Sequence, residues 1–310
     1  MENKKFRLVT RSDFDGLVCA VLLKHIDMID EIKFVHPKDM QDGKIEIGPR
    51  DITTNLPYVA GAHLVLDHHS SETIRNTGEC ANHIIHSDAP SAARVVFDHF
   101  GGYKAFPPEW DGMMAEVDKA DSAQFSSEEI LHPTGWVLLN YLMDSRTGLG
   151  RFRDFRISNY DLMMELIDYC RKHSIEQIMQ LPDVKERADL YFEHEEKFKA
   201  QLKSCSTIHN NLVVLDLRNE EIIYAGNRFM IYALFPETNI SIHVLWGVKQ
   251  QNTVFATGKS IVNRTSKTNI GELMLQYGGG GHANAGTCQV DKEKAEEILQ
   301  KLIAKINADG

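Results

Sequence analysis

The stretch VTRSDFDGLVCA, residues 9–20, decides how the rest of the chain is read. It leaves an apolar strand at Val9, turns polar at Ser12, and sets two carboxylates, Asp13 and Asp15, one residue apart before Gly16. Downstream, GLVCAVLLKHIDMI carries its apolar residues at helical spacing, so the junction reads as strand, acidic turn, helix starting near Leu17. Aspartates at a helix N-terminus cap it and suit its dipole in any protein. The same oxygens are the ligands that a hard divalent cation needs. Both readings stand on this stretch alone.

Working outward, FRLVT, KFVHP and AHLVLD read as strands and SAARVVFDHF as a helix. Strands alternating with helices predict a parallel sheet covered on both faces, with ligands bound beyond the carboxyl ends of its strands. From about residue 130 the character changes. HPTGWVLLNYLMDS and NYDLMMELIDYCRKHS have helical spacing, and KERADLYFEHEEKFKAQLKS, free of Gly and Pro, reads as an exposed connecting helix. Beyond it NLVVLDL, ISIHVLWGV and NTVFATGKSIV are strand-like and EKAEEILQKLIAKI is an amphipathic helix. The expected organisation is an α/β domain over residues 1–150, a helical connector over 151–204, and a smaller α+β domain over 205–310.

Composition narrows the function classes. The chain has 310 residues, 43% of them apolar and 25% charged, as expected for a folded protein of about two domains. Acidic residues outnumber basic ones 44 to 34, a formal charge of −10, so a phosphate ligand must be held locally rather than by the overall field. No basic stripe with interleaved aromatics is present, which disfavours long duplex nucleic acid as a partner. The five cysteines are scattered and never form a CxxC pair, against a disulfide framework or a structural zinc site. No apolar run suits a membrane helix, so a cytoplasmic protein with no membrane partner is expected.

Three further clusters carry chemistry. LVLDHHSS places Asp67, His68 and His69 directly after an apolar strand, where one imidazole suits a metal and its neighbour a substrate; a surface loop with chance histidines is the plainer alternative. DKADSAQF sets Asp118 and Asp121 on one face if it is helical, and also fits a solvated helix end. YGGGGHANAG, residues 277–286, lets backbone amides approach an anion that side chains would block, with His282 beside it; a hairpin is the alternative. Asn227 and Arg228 in AGNRF, and Lys259 and Arg264 in GKSIVNR, could clamp phosphate or simply be surface groups.

Taken in order, DFDG, DHHSS, DSAQF and GGGGHANAG resemble the motifs of the DHH/DHHA1 phosphoesterase family, including its exopolyphosphatase-related and nanoRNase-like members, over nearly the whole chain. The resemblance implies an N-terminal domain that binds two divalent metals, usually manganese, and hydrolyses phosphoester or phosphoanhydride bonds, with a C-terminal domain that grips the substrate through its GGGH loop. Family activities include cleavage of short oligonucleotides, linear or cyclic dinucleotides, 3′-phosphoadenosine 5′-phosphate and polyphosphate. By position, Asp13 and Asp15 match the DxD ligands, His68 the metal-binding histidine, His69 the histidine near the substrate, and Asp121 the last metal-binding aspartate, in a DSAQF similar to the family's DTGxF. Gly279, Gly280, Gly281 and His282 match the GGGH loop. Arg228, Lys259 and Arg264 are added as substrate-binding candidates.

Two positions depart from the pattern. Arg11 stands where the family has a histidine two residues before DxD, and Asn55 stands where it has a metal-bridging aspartate, with Asp51 nearby as an alternative. His to Arg adds one positive charge and Asp to Asn removes one negative, so the site gains the charge of one divalent cation. The expectation is one Mn²⁺ or Mg²⁺ rather than two, on Asp15, His68 and Asp121 with the Asn55 carbonyl and assistance from Asp13, and with Arg11 in the first metal position paired to Asp13. An arginine cannot ligate a metal because it stays protonated. The expected function is metal-dependent hydrolysis of a small nucleotide, short oligonucleotide or polyphosphate-like substrate, in a possible homodimer. The alternative is a degenerate member that binds such a ligand without turning it over.

Overall fold

The computed structural model describes residues 5–69 and 80–310; Ser70 and Ser71 of the DHHSS motif lie outside them. Five strands, β1 (Phe6–Arg11), β2 (Ile29–Val35), β3 (Asp51–Thr54), β4 (Leu64–Asp67) and β5 (His83–Ile85), form one sheet in the order β2-β1-β3-β4-β5. Every pairing in it is parallel. Its helices include α1 (Phe14–His25), α2 (Pro37–Gln41), α3 (Ala92–His99) and α4 (Asp111–Asp121). Leu8, Val9, Ile52, Val65 and Leu66 of the strands are fully buried, as are Leu17, Val18, Val21 and Leu22 of α1 and Val95 and Val96 of α3. The expected parallel α/β sheet is present.

Two differences from the sequence expectation have physical causes. Helix α1 begins three residues earlier than Leu17, because the Asp13 side chain caps it by accepting from Gly16 N. It ends at His25 because Asp27 adopts a left-handed φ of 60°, which frees Ile29 to open β2. Strand β3 was not legible: DITT contains one apolar residue, yet all four are buried. The Thr54 hydroxyl donates to the Thr10 hydroxyl, which donates to the Thr54 carbonyl, so the hydroxyl of Thr54 is satisfied inside the sheet, while the buried Thr53 hydroxyl has no partner among the described residues.

Helices α5 (Ser127–Leu131), α6 (Gly135–Met143), α7 (Asn159–Lys172), α8 (Ile175–Ile178) and α9 (Pro182–Ser204) follow. The chain divides into two compact units: residues 1–124, 134–145 and 152–188 in the first, and 125–133, 146–151 and 189–310 in the second. Helix α9 runs from one unit into the other.

The second unit contains a mixed sheet of β6 (Ser206–His209), β7 (Leu212–Asp216), β8 (Ile240–Trp246), β9 (Thr253–Lys259), β10 (Gly280–His282) and β11 (Ala285–Val290), in the order β10-β11-β9-β8-β7-β6. Only β7 and β8 pair in parallel. One face of the sheet, with Leu212, Val214, Ile240, Ile242, Val244 and Phe255, packs on α11 (Ile270–Leu275) and α12 (Lys292–Asp309) through Leu273, Leu299, Leu302 and Ile306. The short α10 (Met230–Leu234) meets the opposite face, where Tyr232 Oη lies 2.9 Å from Ser241 Oγ. No helix among the described residues is long and apolar enough to cross a membrane.

Candidate active site

The carboxyl end of β1 runs directly into α1, and the turn is so tight that only glycine fits at position 16. A Cβ there would lie 2.0 Å from the Arg11 carbonyl oxygen. The two aspartates of DFDG then separate. Asp13 stays at the N-cap, where Oδ1 accepts from Gly16 N at 2.9 Å and from Asn55 Nδ2 at 3.1 Å. Its Oδ2 pairs with Arg11 Nε at 2.9 Å. Asp15, in the first turn of α1, is 2% exposed and turns the other way.

Asp15 caps a second helix. Its Oδ2 accepts from Ala92 N at 3.0 Å and its Oδ1 from Ala93 N at 2.7 Å, at the N-terminus of α3. Burial pushes the Asp15 carboxyl well up, and the neighbouring Asp121 and Asp13 carboxylates push it further. The α3 amides, the positive end of a helix dipole, oppose that shift. Such a site, with a buried carboxylate held close to partly buried ones, favours a cation between them.

His68 and His69 extend from the end of β4 with their rings edge-on, 4.6 Å apart between centroids. His68 Nδ1 donates to the Ala89 carbonyl at 3.1 Å, which leaves Nε2 as the free ring nitrogen. Nε2 comes within 3.0 Å of Asp121 Oδ2. Among the described residues, however, this buried atom has no partner of hydrogen-bonding geometry. Burial lowers the affinity of His68 for a proton, but the adjacent Asp121 and Asp15 carboxylates outweigh it and hold the imidazole up at about 9. Asp15, His68 and Asp121 can place one ligand atom each within 4.8 Å of one another. These residues fit a divalent cation: two carboxylates, one imidazole nitrogen with no better partner, and a backbone carbonyl that fixes the tautomer.

The other expected ligands are placed differently. Asn55 is 1% exposed, holds a left-handed φ of 55°, and donates to Asp13, while its Oδ1 is buried with no hydrogen-bond partner among the described residues. Asp51 stands at the far end of β3, with its oxygens accepting from Arg7 Nε, Arg7 Nη2 and Gly48 N. His69 Nδ1 donates to Asp67 Oδ1 at 2.8 Å, and its side chain is 36% exposed. Sequence reading missed Asp67 as the partner that orients His69. It also missed the α3 amides that hold Asp15, although Ser91 before an alanine pair was the N-cap signal that could have placed them.

In the second unit, Gly280 to His282 form strand β10, paired with β11 as a hairpin. The glycines there are required by the fold as well as open to a ligand. A Cβ on Gly279 would meet Thr287 O at 2.1 Å, and one on Gly281, whose φ is 154°, would meet Ala285 O at 2.3 Å. Gly280 alone of the three faces open space. His282 pairs with Ala285, which pairs with Gly258, which pairs with Ser241 under Tyr232, so the hairpin, Lys259 and the segment carrying Arg228 are brought to one end of the sheet. Lys259 N donates to Asn284 O in the hairpin turn, and Lys259 Nζ donates to Ser266 O. Arg264 Nε donates to Ile261 O, and Arg228 lies 4.1 Å over the Phe229 ring. Asn227 is not a phosphate clamp: it is 1% exposed, and its amide is spent on Ile130 O, Tyr191 Oη and Phe229 N.

Residues 228–308 match the DHHA1 domain. A solved structure of PggH, a pGpG-specific phosphodiesterase from Vibrio cholerae, is similar over 99% of this chain and 100% of its own, at 64% identity and a TM-score of 0.90. The chain belongs to the DHH/DHHA1 phosphoesterase family. Two remote structures share the fold: Thermus thermophilus RecJ in complex with Mn²⁺, at 13% identity and a TM-score of 0.54 over 99% of this chain and 52% of RecJ, and CDC45 from Entamoeba histolytica, at 10% identity and a TM-score of 0.53 over 99% and 96%. A search of the curated proteins found no match. The DHH motif and the DHHA1 glycine hairpin thus sit in the first and second units respectively.

Proposed function

We propose that this DHH/DHHA1 protein is a phosphodiesterase that splits the linear dinucleotide pGpG at its internucleotide phosphate, using one divalent metal. The substrate rests on the 64% identity to PggH along essentially both full chains. The single metal rests on Asp15, His68 and Asp121 converging, while the two oxygens of Asp13 are engaged by Arg11, Asn55 and Gly16.

In this reading Asp15, His68 and Asp121 hold Mn²⁺ or Mg²⁺, with the Asn55 carbonyl oxygen as a further donor. A bound divalent cation supplies Lewis-acid polarisation of the phosphoryl group and lowers the pKa of a bound water. Arg11, fixed through Nε by Asp13, offers its remaining Nη donors to a phosphate oxygen in a planar, permanently charged fork. Asp67 accepts the Nδ1 proton of His69 and so fixes the orientation of the ring that would stand beside the phosphate. In the second unit, the open face at Gly280, with His282, Arg228, Lys259 and Arg264, would hold the remaining phosphate.

Incubation with pGpG and excess Mn²⁺ tests this, alongside Asp15→Ala. The expected outcome is conversion to GMP by the wild type and none above background by the variant. Binding of pGpG without turnover would favour the degenerate reading, which Arg11 and Asn55 alone support.

A further inference from the structure

We infer that Asp118 is a positioning residue, which sets the distance between two of the metal-site carboxylates without touching the metal. Asp118 and Asp121 lie one turn apart on α4, where Asp121 belongs to the ligand cluster. Asp118 faces α3. Its Oδ1 accepts from Ser91 Oγ at 2.7 Å, and its Oδ2 accepts from Arg94 Nε at 3.0 Å and Arg94 Nη2 at 2.6 Å. Ser91 is the N-cap of α3, and its hydroxyl oxygen also accepts from Arg94 N at 3.0 Å. The next two amides of that helix, Ala92 N and Ala93 N, are the ones that hold Asp15.

The result is a closed frame. Asp15 is bonded to the first turn of α3, that turn is bonded at its cap and third residue to Asp118, and Asp118 is joined by one turn of helix to Asp121. Each joint is a charge-assisted or capping hydrogen bond, the stronger kinds available to a protein. Ser91 is fully buried and Asp118 has a side-chain exposure of 18%, so water competes little for these bonds. A metal site depends on the spacing of its ligands, and the groups that orient those ligands tune its affinity. Loss of Asp118 would leave the Arg94 guanidinium unpaired beside the α3 N-terminus and let the Asp15 anchor move relative to Asp121.

The inference rests on the metal reading above, and titration of metal-free full-length protein with Mn²⁺ by calorimetry tests both. The wild type should bind, Asp15→Ala should not, and Asp118→Ala should weaken the dissociation constant by about 10- to 100-fold, the usual cost of an outer-shell partner. Asp118→Asn, which keeps an acceptor for Ser91 but not the charge for Arg94, should fall between, and it serves if Asp118→Ala does not fold. Hydrolysis by Asp118→Ala should recover at saturating Mn²⁺ with KM for pGpG unchanged. Asp51→Ala, which removes an Asp–Arg pair with a more buried carboxylate elsewhere in the same unit, should lower Tm without changing Mn²⁺ affinity. Wild-type affinity in a folded Asp118 variant overturns the positioning role alone. A wild-type protein that takes up no Mn²⁺ overturns it together with the metal reading.

Discussion

Arg11 Nε and Asp13 Oδ2 lie 2.9 Å apart at the end of the first strand, an ion pair between the residue that replaces a family histidine and the first aspartate of DxD. In the one-metal reading proposed above, the pair takes up a carboxylate that would otherwise face a cation and leaves a fixed positive charge in its place. Asn55 completes the exchange by donating to the other Asp13 oxygen. Asp13→Asn keeps the N-cap but removes the charge that orients Arg11. It should lower kcat/KM for pGpG by about 10- to 100-fold, as loss of a supporting partner does, with little change in Tm. Asp13→Ala should in addition lose the cap, about 1 kcal/mol of stability, which thermal unfolding will show.

The hairpin glycines separate structural need from ligand approach. Gly279→Ala and Gly281→Ala force a Cβ against backbone and should lower stability by about 1–3 kcal/mol as overpacking does. Gly280→Ala meets open space. Its Tm should match the wild type while KM for pGpG rises; an unchanged KM would remove Gly280 from the substrate surface.

Ala123 occupies the glycine position of the DTGxF-like motif and holds a φ of 52°. A side chain in the left-handed region costs about 1–2 kcal/mol, part of which glycine returns as unfolded-chain entropy. Ala123→Gly should therefore raise Tm by a few degrees without altering the ligand cluster. A lower Tm would show that the strain is relieved by contacts of the methyl group.

His243, on β8 of the second unit, gives a pH signature of its own. Burial pushes its imidazole down from 6.5 to about 4. Between those values the unfolded chain takes up a proton that the folded chain refuses, so this contribution is complete above about pH 6.5 and is lost as pH falls toward 4. Urea unfolding at pH 7 and pH 4.5 should show a smaller acid-side loss of stability in His243→Gln than in the wild type. Equal losses in both would place the acid sensitivity elsewhere.

Strands β1, β2 and β4 of the first sheet and β7, β8 and β9 of the second were legible because apolar runs recur wherever burial drives the element, whereas β5, β6 and β11 were not. Strand β3 was hidden because its polar residues are buried between neighbouring strands, with the Thr54 hydroxyl bonded to Thr10 of β1, which no local pattern records. Within the site, DFDG, DHH and DSAQF announced their residues, but not that Asp13 and Asp15 diverge. That divergence arises because Asp15 caps a helix 77 residues away while Asp13 caps its own. Asn227 misled for the same reason: a polar side chain beside an arginine looks like a ligand group until its partners, Ile130 and Tyr191, are brought to it by the fold.

The central claim, one metal with Arg11 standing in for the other, is tested most directly by counting. The wild type and Arg11→His/Asn55→Asp, each saturated with Mn²⁺ and freed of excess, should be weighed by native mass spectrometry. One manganese per chain in the wild type and two in the double variant is the predicted result, and two per chain in the wild type would contradict it.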